Sequence, residues 1–211
     1  MSATIDWRPR VAGLGVMLVL AGTASADIGV GPWTFDDLAF ADDATQIGAG
    51  SLQLYCGATD LDDALTGYSP DRQIVNIGDA GHANHFQLDF LDLQAVNAAG
   101  PDLVFFETRY SSDPYEIALR PAGGEFTAFR PYGAQAFIFT GETGCSSIWG
   151  LEVEFDDYGF AAGTVVDAMQ FRALANGTGL IEGDPLMAAV LNTGGTPVAA
   201  SSWSLVKSLY R

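Results

Sequence analysis

The segment LVFF at residues 103–106 is a continuous apolar run of strand length, and it follows a chain break at Gly100-Pro101. A short run of this kind predicts a strand that is covered on both of its faces. Apolar and polar residues alternate in 86–90, 115–119 and 151–155, which is the pattern of half-buried strands. The chain therefore combines one fully buried strand with several strands that have one polar face.

Working outward from this run, the pattern predicts about eight to ten short strands separated by Gly, Pro and Asp turns. The other predicted strands are one within 29–50 and those at 52–55, 74–77, 125–129, 136–140, 164–174 and 186–191, with 115–129 as a hairpin. We expect a loop at 58–71 and a short helical turn within 92–98. The fold expected from this pattern is an all-β sandwich or barrel over residues 27–192, followed by a loosely packed tail at 193–211.

The first 26 residues have the layout of a secretory signal peptide. Arg8 and Arg10 precede an uncharged apolar run at 11–22, and small residues ending at Ala26 follow it. The apolar run is too short for a bilayer-spanning helix, which needs about 20 residues. We therefore predict cleavage after Ala26, with the protein secreted, periplasmic or at the cell surface and with no membrane span in the mature chain.

The negative charge of the chain excludes some classes of binding partner. The formal net charge is −17, with 26 acidic and 9 basic residues in 211. Nucleic acid and anionic membrane surfaces carry phosphate charge and repel such a chain, whereas cations are attracted to it. We therefore expect no nucleic-acid partner.

Two cysteines, Cys56 and Cys145, follow the signal peptide. In an oxidising compartment such a pair forms a disulfide, and the alternative is two buried free thiols. The sequence contains no CxxC, so it supports neither a redox motif nor a zinc ribbon.

Several stretches resemble exported bacterial galactose-binding-like jelly-roll domains, of the kind found in PEP-CTERM-type secreted proteins. They are GPDLVFFE at 100–107, YEIAL at 115–119 and AGTVVD at 162–167, with 125–129 and 167–171 in the places of two further strands. The segment GDPLMAAV at 183–190 matches the last strand of that pattern but lacks its second aspartate. The resemblance spans 89–191. It implies a jelly-roll β-sandwich similar to carbohydrate-binding modules, often with a structural calcium ion.

Calcium is also a candidate on the chemistry of the side chains. Hard cations take six to eight oxygen ligands from carboxylates and carbonyls. The carboxylates near predicted strand ends or loops are Asp102, Glu107, Asp156, Asp167 and Asp184. The alternative is that these are solvated turn residues, since aspartate favours turns by bonding its own backbone. The only histidines, His82 and His85, form an HxxH pair without the glutamate of a zinc-protease motif.

Aromatic side chains beside loops suggest a sugar-binding rim, because exposed rings stack on the apolar faces of sugars. Tyr132 and Arg130 occupy one predicted turn, and Trp149 occupies another. The alternative for each ring is ordinary packing against the core. We therefore predict a non-catalytic module that binds carbohydrate or a surface glycan through these residues.

Two other functions stay open on sequence alone. The first is a structural protein of the cell surface with no small ligand, and the second is a secreted glycan hydrolase. The chain has no GxSxG elbow, Ser-His-Asp order or glycine-rich phosphate loop. A glycosidase needs only two suitably spaced carboxylates, however, and the sequence singles out no pair.

Overall fold

The structure is a computed structural model that describes residues 27–48, 51–77, 85–90, 94–108, 113–175 and 182–193. The predicted signal peptide, His82 and residues 194–211 of the predicted tail lie outside the described residues.

The described residues form fifteen strands and little helix. The strands are β1 (Asp27–Val30), β2 (Trp33–Asp36), β3 (Asp43–Ile47), β4 (Ser51–Tyr55), β5 (Gln73–Ile77), β6 (His85–Asp89), β7 (Ala95–Val96), β8 (Leu103–Thr108), β9 (Tyr115–Pro121), β10 (Arg130–Tyr132), β11 (Ile138–Thr143), β12 (Ser147–Val153), β13 (Val165–Ala173), β14 (Glu182–Gly183) and β15 (Pro185–Val190). One α-helix, α1, spans Leu61–Leu65, and single 3-10 turns span Asp37–Ala39, Ala134–Ala136 and Phe155–Tyr158.

Two antiparallel sheets make the sandwich. Sheet I has the order β10-β9-β13-β6-β3, with β7 also paired to β13, and sheet II has the order β11-β12-β8-β15. The chain passes between the sheets repeatedly, since β8, β11, β12 and β15 lie in sheet II while β9, β10 and β13 lie in sheet I. The predicted all-β class, a sandwich of jelly-roll type, is confirmed.

The main core lies between the inner faces of the two sheets. Phe105 of β8 contacts Phe171 of β13 and Tyr115 of β9, with ring centroids 4.8 and 5.0 Å apart. Phe86 of β6 stacks on Phe171 at 5.4 Å. Leu151 of β12 belongs to the same buried cluster. Alternation along β6 and β13 places these rings inside and the intervening polar residues outside.

A second core covers the other face of sheet II. The β1–β2 hairpin lays Trp33 and Phe35 on Phe106 of β8, with centroids 5.6 and 5.8 Å apart. The indole of Trp33 also fills the space above Gly150 of β12, where an added Cβ would lie 2.5 Å from the ring. Because both faces of sheet II are covered, all six residues of β8 are buried. The predicted doubly covered strand at 103–106 is confirmed.

The structure corrects three local predictions. Residues 61–65 of the expected loop form α1. The preceding residue, Asp60, caps this helix, since its side chain accepts a hydrogen bond from the Asp63 N–H. The expected helical turn within 92–98 is wrong for Ala95–Val96, which pairs with β13 as a strand. The hairpin partner of β9 is Arg130–Tyr132 rather than 125–129.

The predicted disulfide between Cys56 and Cys145 is present, with Cα atoms 5.9 Å apart. It joins the end of β4 to the turn between β11 and β12, and it closes a sequence separation of 89 residues. None of the helices in the described ranges is long and apolar enough to cross a membrane.

Candidate functional site

The outward side of sheet I carries a cluster of polar side chains on three adjacent strands. The register places Gln170 of β13 opposite Gln87 of β6 and Ala118 of β9, and cross-strand partners share a face. We call this surface the polar face. It consists of Glu116 and Arg120 of β9, Asp167, Gln170 and Arg172 of β13, and Gln87 and Asp89 of β6.

A bulge in β13 adds one carboxylate to this face. The register between β13 and β9 shifts between Val166 and Ala168. The extra residue, Asp167, accepts a hydrogen bond from the Arg120 Nε at 2.6 Å. A bulge can re-aim a side chain in this way, because two residues then oppose one on the neighbouring strand.

Arg120 is the centre of the first half of the network. Its guanidinium donates to Asp167 and, at 2.9 Å, to Asp89 of β6. The hydrogen bond that Arg120 donates to Asp167 is the main reason that the pKa of Arg120 is raised. Gln87 donates to Asp89 at 2.8 Å, and Gln170 donates to Gln87 at 3.2 Å. Three of these four hydrogen bonds therefore run between β9, β13 and β6, and the bond from Gln87 to Asp89 lies within β6.

Arg172 is the centre of the second half. Its Nε donates to Glu116 at 2.6 Å, and its guanidinium lies over the ring of Phe129, 4.3 Å from the centroid. His85 packs edge-on to the same ring at 5.9 Å. Burial and the charge of Arg172 both lower the pKa of His85, so this imidazole is neutral at pH 7.

Two phenylalanines border the polar face because of how the segment after β9 is held. Thr127 N–H donates to the Leu119 carbonyl, and Leu119 N–H donates to the Thr127 hydroxyl. This fixes the segment beside β9. Phe126 then lies near Arg120, 5.3 Å from its guanidinium carbon, and Phe129 reaches Arg172.

The predicted ligand residues lie elsewhere. Arg130 and Tyr132 share β10, at the edge of sheet I, where Arg130 forms an ion pair with Asp157 at 3.0 Å. The Tyr132 hydroxyl donates to that of Tyr158 at 3.2 Å. The ring of Tyr132 is half-buried against the main core, and burial raises its pKa.

Trp149, the third predicted ligand residue, lies on β12 of sheet II. Its ring is also half-buried against the main core. It packs on Phe139 of β11, with centroids 5.2 Å apart, and Phe139 is 49% exposed. The structure thus brings Arg130 and Tyr132 together on one strand and places Trp149 in the other sheet.

The predicted calcium ligands are dispersed. Asp102 is fully buried and accepts hydrogen bonds from the backbone N–H groups of Ala98 and Phe155 at 2.8 and 2.7 Å. Asp156 accepts from the side-chain amide of Asn97 at 2.9 Å. Asp167 belongs to the polar face. Within the described residues, no three His, Cys, Asp or Glu side chains are grouped as a metal ion would need. The structure therefore does not bring these five carboxylates together in one group.

The other two predicted calcium ligands are Glu107 and Asp184. Glu107 lies near the C-terminal end of β8, and Asp184 directly precedes β15, the neighbouring strand. Glu107 accepts a hydrogen bond from the Asp113 N–H at 2.8 Å through one carboxylate oxygen. Among the described atoms its second oxygen has no hydrogen-bond partner, and neither has the buried hydroxyl of Tyr115. Burial, with the charges of Asp113 and Asp184, raises the pKa of Glu107 to about 9. The carboxyl group is therefore protonated at neutral pH.

The polar face was absent from the sequence prediction, although its residues occupy the polar positions of strands that the alternation did predict. Gln87 and Asp89 alternate with Phe86 and Leu88, and Glu116 alternates with Ile117 in the same manner. Alternation indicates that such residues point outward, but not which strands are neighbours. The strand order β9-β13-β6 supplies that missing information.

No protein-family model matches the chain, and no curated protein matches it either. Solved structures do match it. The CBM22-1 xylan-binding domain of Paenibacillus barcinonensis Xyn10C is 10% identical, with a TM-score of 0.33, over 75% of this chain and 96% of that chain. The CBM22-1–CBM22-2 tandem domain of the same protein is 10% identical, with a TM-score of 0.33, over 81% and 50%.

An exo-β-1,3-galactanase from Phanerochaete chrysosporium, solved with galactose, is 11% identical, with a TM-score of 0.31. The match covers 70% of this chain and 29% of the galactanase. The chain thus spans half of the tandem domain and less than a third of the galactanase. At these scores the likenesses carry no functional assignment.

Proposed function

We propose that this domain is a non-catalytic module that binds carbohydrate through the polar face of sheet I. The observation that carries the proposal is the linked set of amide, guanidinium and carboxylate groups across β9, β13 and β6, with Phe126 and Phe129 beside it. Export to the cell surface or beyond is part of the proposal, since the Cys56–Cys145 disulfide is a bond that persists in oxidising compartments.

The chemistry of the polar face suits sugars in two ways. Sugar hydroxyls need both donors and acceptors, and the face offers amide, guanidinium and carboxylate groups side by side. The C–H faces of a pyranose ring are apolar and pack on aromatic rings, which Phe126 and Phe129 supply at the border. A binding site of this type combines apolar contact area with a few oriented polar groups.

The network also lowers the cost of binding. Each immobilised long side chain costs about 0.5–1.5 kcal/mol of conformational entropy at an interface. Arg120 is already held by two carboxylates, and Arg172 is held by Glu116 and by the ring of Phe129. A ligand on this face therefore meets side chains whose freedom is already reduced.

The test is binding to a polysaccharide panel by affinity electrophoresis, followed by calorimetry with oligosaccharides. The double variant Gln87→Ala/Gln170→Ala removes the amide pair at the centre of the face, and we expect it to weaken binding at least about tenfold. The matched control is Gln135→Ala, since Gln135 is exposed on the 3-10 turn at Ala134–Ala136. Equal affinities for the double variant and the control would contradict the proposed site.

A second candidate function is a structural protein of the cell surface, and one observation favours it. β11 is an edge strand of sheet II, and it exposes Ile138 and Phe139 to 43% and 49%. Exposed apolar edge strands promote pairing between chains. If this candidate is right, sedimentation velocity will show concentration-dependent self-association that Ile138→Lys abolishes, and no polysaccharide will retain the protein.

A further inference from the structure

We infer that the ligand of the polar face is an uncharged glycan, as opposed to a uronate, sulfated or amino-sugar polymer. The inference rests on the proposed function and adds the charge class of the ligand. It follows from how the charged groups of the face are already paired.

Both guanidiniums of the polar face are committed to carboxylates of the same face. Arg120 donates to Asp167 at 2.6 Å and to Asp89 at 2.9 Å. Arg172 donates to Glu116 at 2.6 Å. Recognition of a sugar carboxylate or sulfate relies on a guanidinium that presents two parallel N–H groups to the anion. An anionic sugar would have to displace these internal partners and leave their negative charge on the same surface.

The same pairing disfavours a cationic ligand. The three carboxylates of the face, Asp89, Asp167 and Glu116, each accept hydrogen bonds from an arginine. An amino sugar would have to compete with a guanidinium for each of them. At the centre lies the uncharged pair Gln170 and Gln87, whose amides form a hydrogen bond with each other at 3.2 Å.

The surrounding charge strengthens the argument against anions. The face has three carboxylates and two guanidiniums, and Asp43 of β3 stands opposite Asp89 in the register. His85 lies at the Arg172 end and is neutral at pH 7 because burial and Arg172 lower its pKa. The whole chain carries a net charge of −17. A field of this sign lowers the local concentration of anionic polymers.

The experiment compares three oligosaccharide classes of equal length with the full chain, at low and high salt. The probes are neutral xylo- or gluco-oligosaccharides, oligogalacturonates and chitosan oligomers, titrated by calorimetry in about 0.02 and about 0.5 M NaCl, since screening separates charge-driven from neutral binding. We expect a neutral probe to bind, with a Kd that changes less than about twofold between the two salts.

The outcomes separate the two proposals. Preferred binding of oligogalacturonate or chitosan, weakened by salt, would overturn the inference and leave carbohydrate binding in place. Binding of none of the three classes would overturn the proposed function and the inference with it.

A charge-matched pair of variants tests the physical reason. In Glu116→Gln the guanidinium of Arg172 loses its carboxylate partner, and we expect oligogalacturonate affinity to rise about tenfold at low salt. Glu125→Gln makes the same change in net charge at an exposed position that precedes Phe126. An equal gain in both variants, or a gain in neither, would show that the arginine pairing does not set the charge class.

Discussion

Sheets I and II differ in how many of their faces are buried. Sheet II is covered on both faces, by sheet I on one side and by the β1–β2 hairpin on the other, so the whole of β8 is buried. Among the described residues, sheet I has an apolar core on its inner face only, and the alternate positions of β9, β13 and β6 hold the polar network. Sheet I needs only one apolar face for packing. The side chains on its other face are therefore free to be polar and could contact a ligand.

The largest expected change in stability comes from removing the Cys56–Cys145 disulfide, which joins the β11–β12 turn of sheet II to the end of β4. Removing the disulfide with Cys56→Ser and Cys145→Ser should lower the free energy of unfolding by about 4–5 kcal/mol, because the closed loop constrains the unfolded chain. Urea denaturation of the double variant measures this. A loss below about 1 kcal/mol would mean that the bond does not constrain the unfolded chain as the sequence separation implies.

The second prediction tests whether sheet II is covered twice. Phe105→Ala opens the main core, and Phe106→Ala opens the core beneath the hairpin, where Trp33 and Phe35 contact the ring. Each substitution should cost about 3–5 kcal/mol. If Phe106→Ala instead costs less than about 1 kcal/mol, as a surface change does, the hairpin does not protect that face.

The third prediction concerns the buried end of β8. Glu107 has its pKa raised to about 9, so the folded chain holds a proton that the unfolded chain releases above its ordinary value near 4.5. Between those values, stability should fall as pH rises, by up to about 1.4 kcal/mol per unit. The Glu107→Gln variant has no ionisable group at this position, so its stability lacks this pH dependence.

The measurement is the free energy of unfolding of wild type and Glu107→Gln at pH 6 and at pH 8. The wild type should lose up to about 2.7 kcal/mol more than the variant over this interval. Parallel curves for the two proteins would show that the carboxyl group is ionised in the folded state already.

The smallest effect is expected on the polar face. Gln170→Ala removes the hydrogen bond that Gln170 donates to Gln87 on a partly exposed surface, which should cost less than about 1 kcal/mol of stability. The same substitution should weaken glycan binding, because it opens the centre of the network. A stability loss comparable with that of Phe106→Ala would indicate that the face serves packing and not recognition.

The sequence predicted strands correctly where the local pattern of apolar and polar residues determines which side chains are buried. The apolar run at 103–106, the alternation at 86–90 and the long β run at 164–174 predicted strands that the structure confirms as β8, β6 and β13. Prediction failed where a contact depends on distant segments. Ala95–Val96 is a strand only because β13 lies beside it. The capping residue of α1, Asp60, is a local signal of a helix start within the segment predicted as a loop.

The prediction of functional residues failed for the same reason, because the polar face also depends on contacts between distant segments. Aromatic residues beside turns pointed to Tyr132 and Trp149, yet packing against the core determines where these rings lie. The polar face joins residues 116, 170 and 87, and the bulge at Asp167 completes it. Strand order and register create this site, and neither is encoded in the spacing of residues along one strand.

The close fit between Gly150 and the indole of Trp33 has an evolutionary consequence. A methyl group at position 150 would occupy the volume of the indole, so the two positions cannot drift independently. Any homologous chain that acquires alanine or a larger residue there must shrink or relocate the hairpin tryptophan. The pair should therefore change together across species, as a linked substitution that marks which relatives still close the outer side of this sheet.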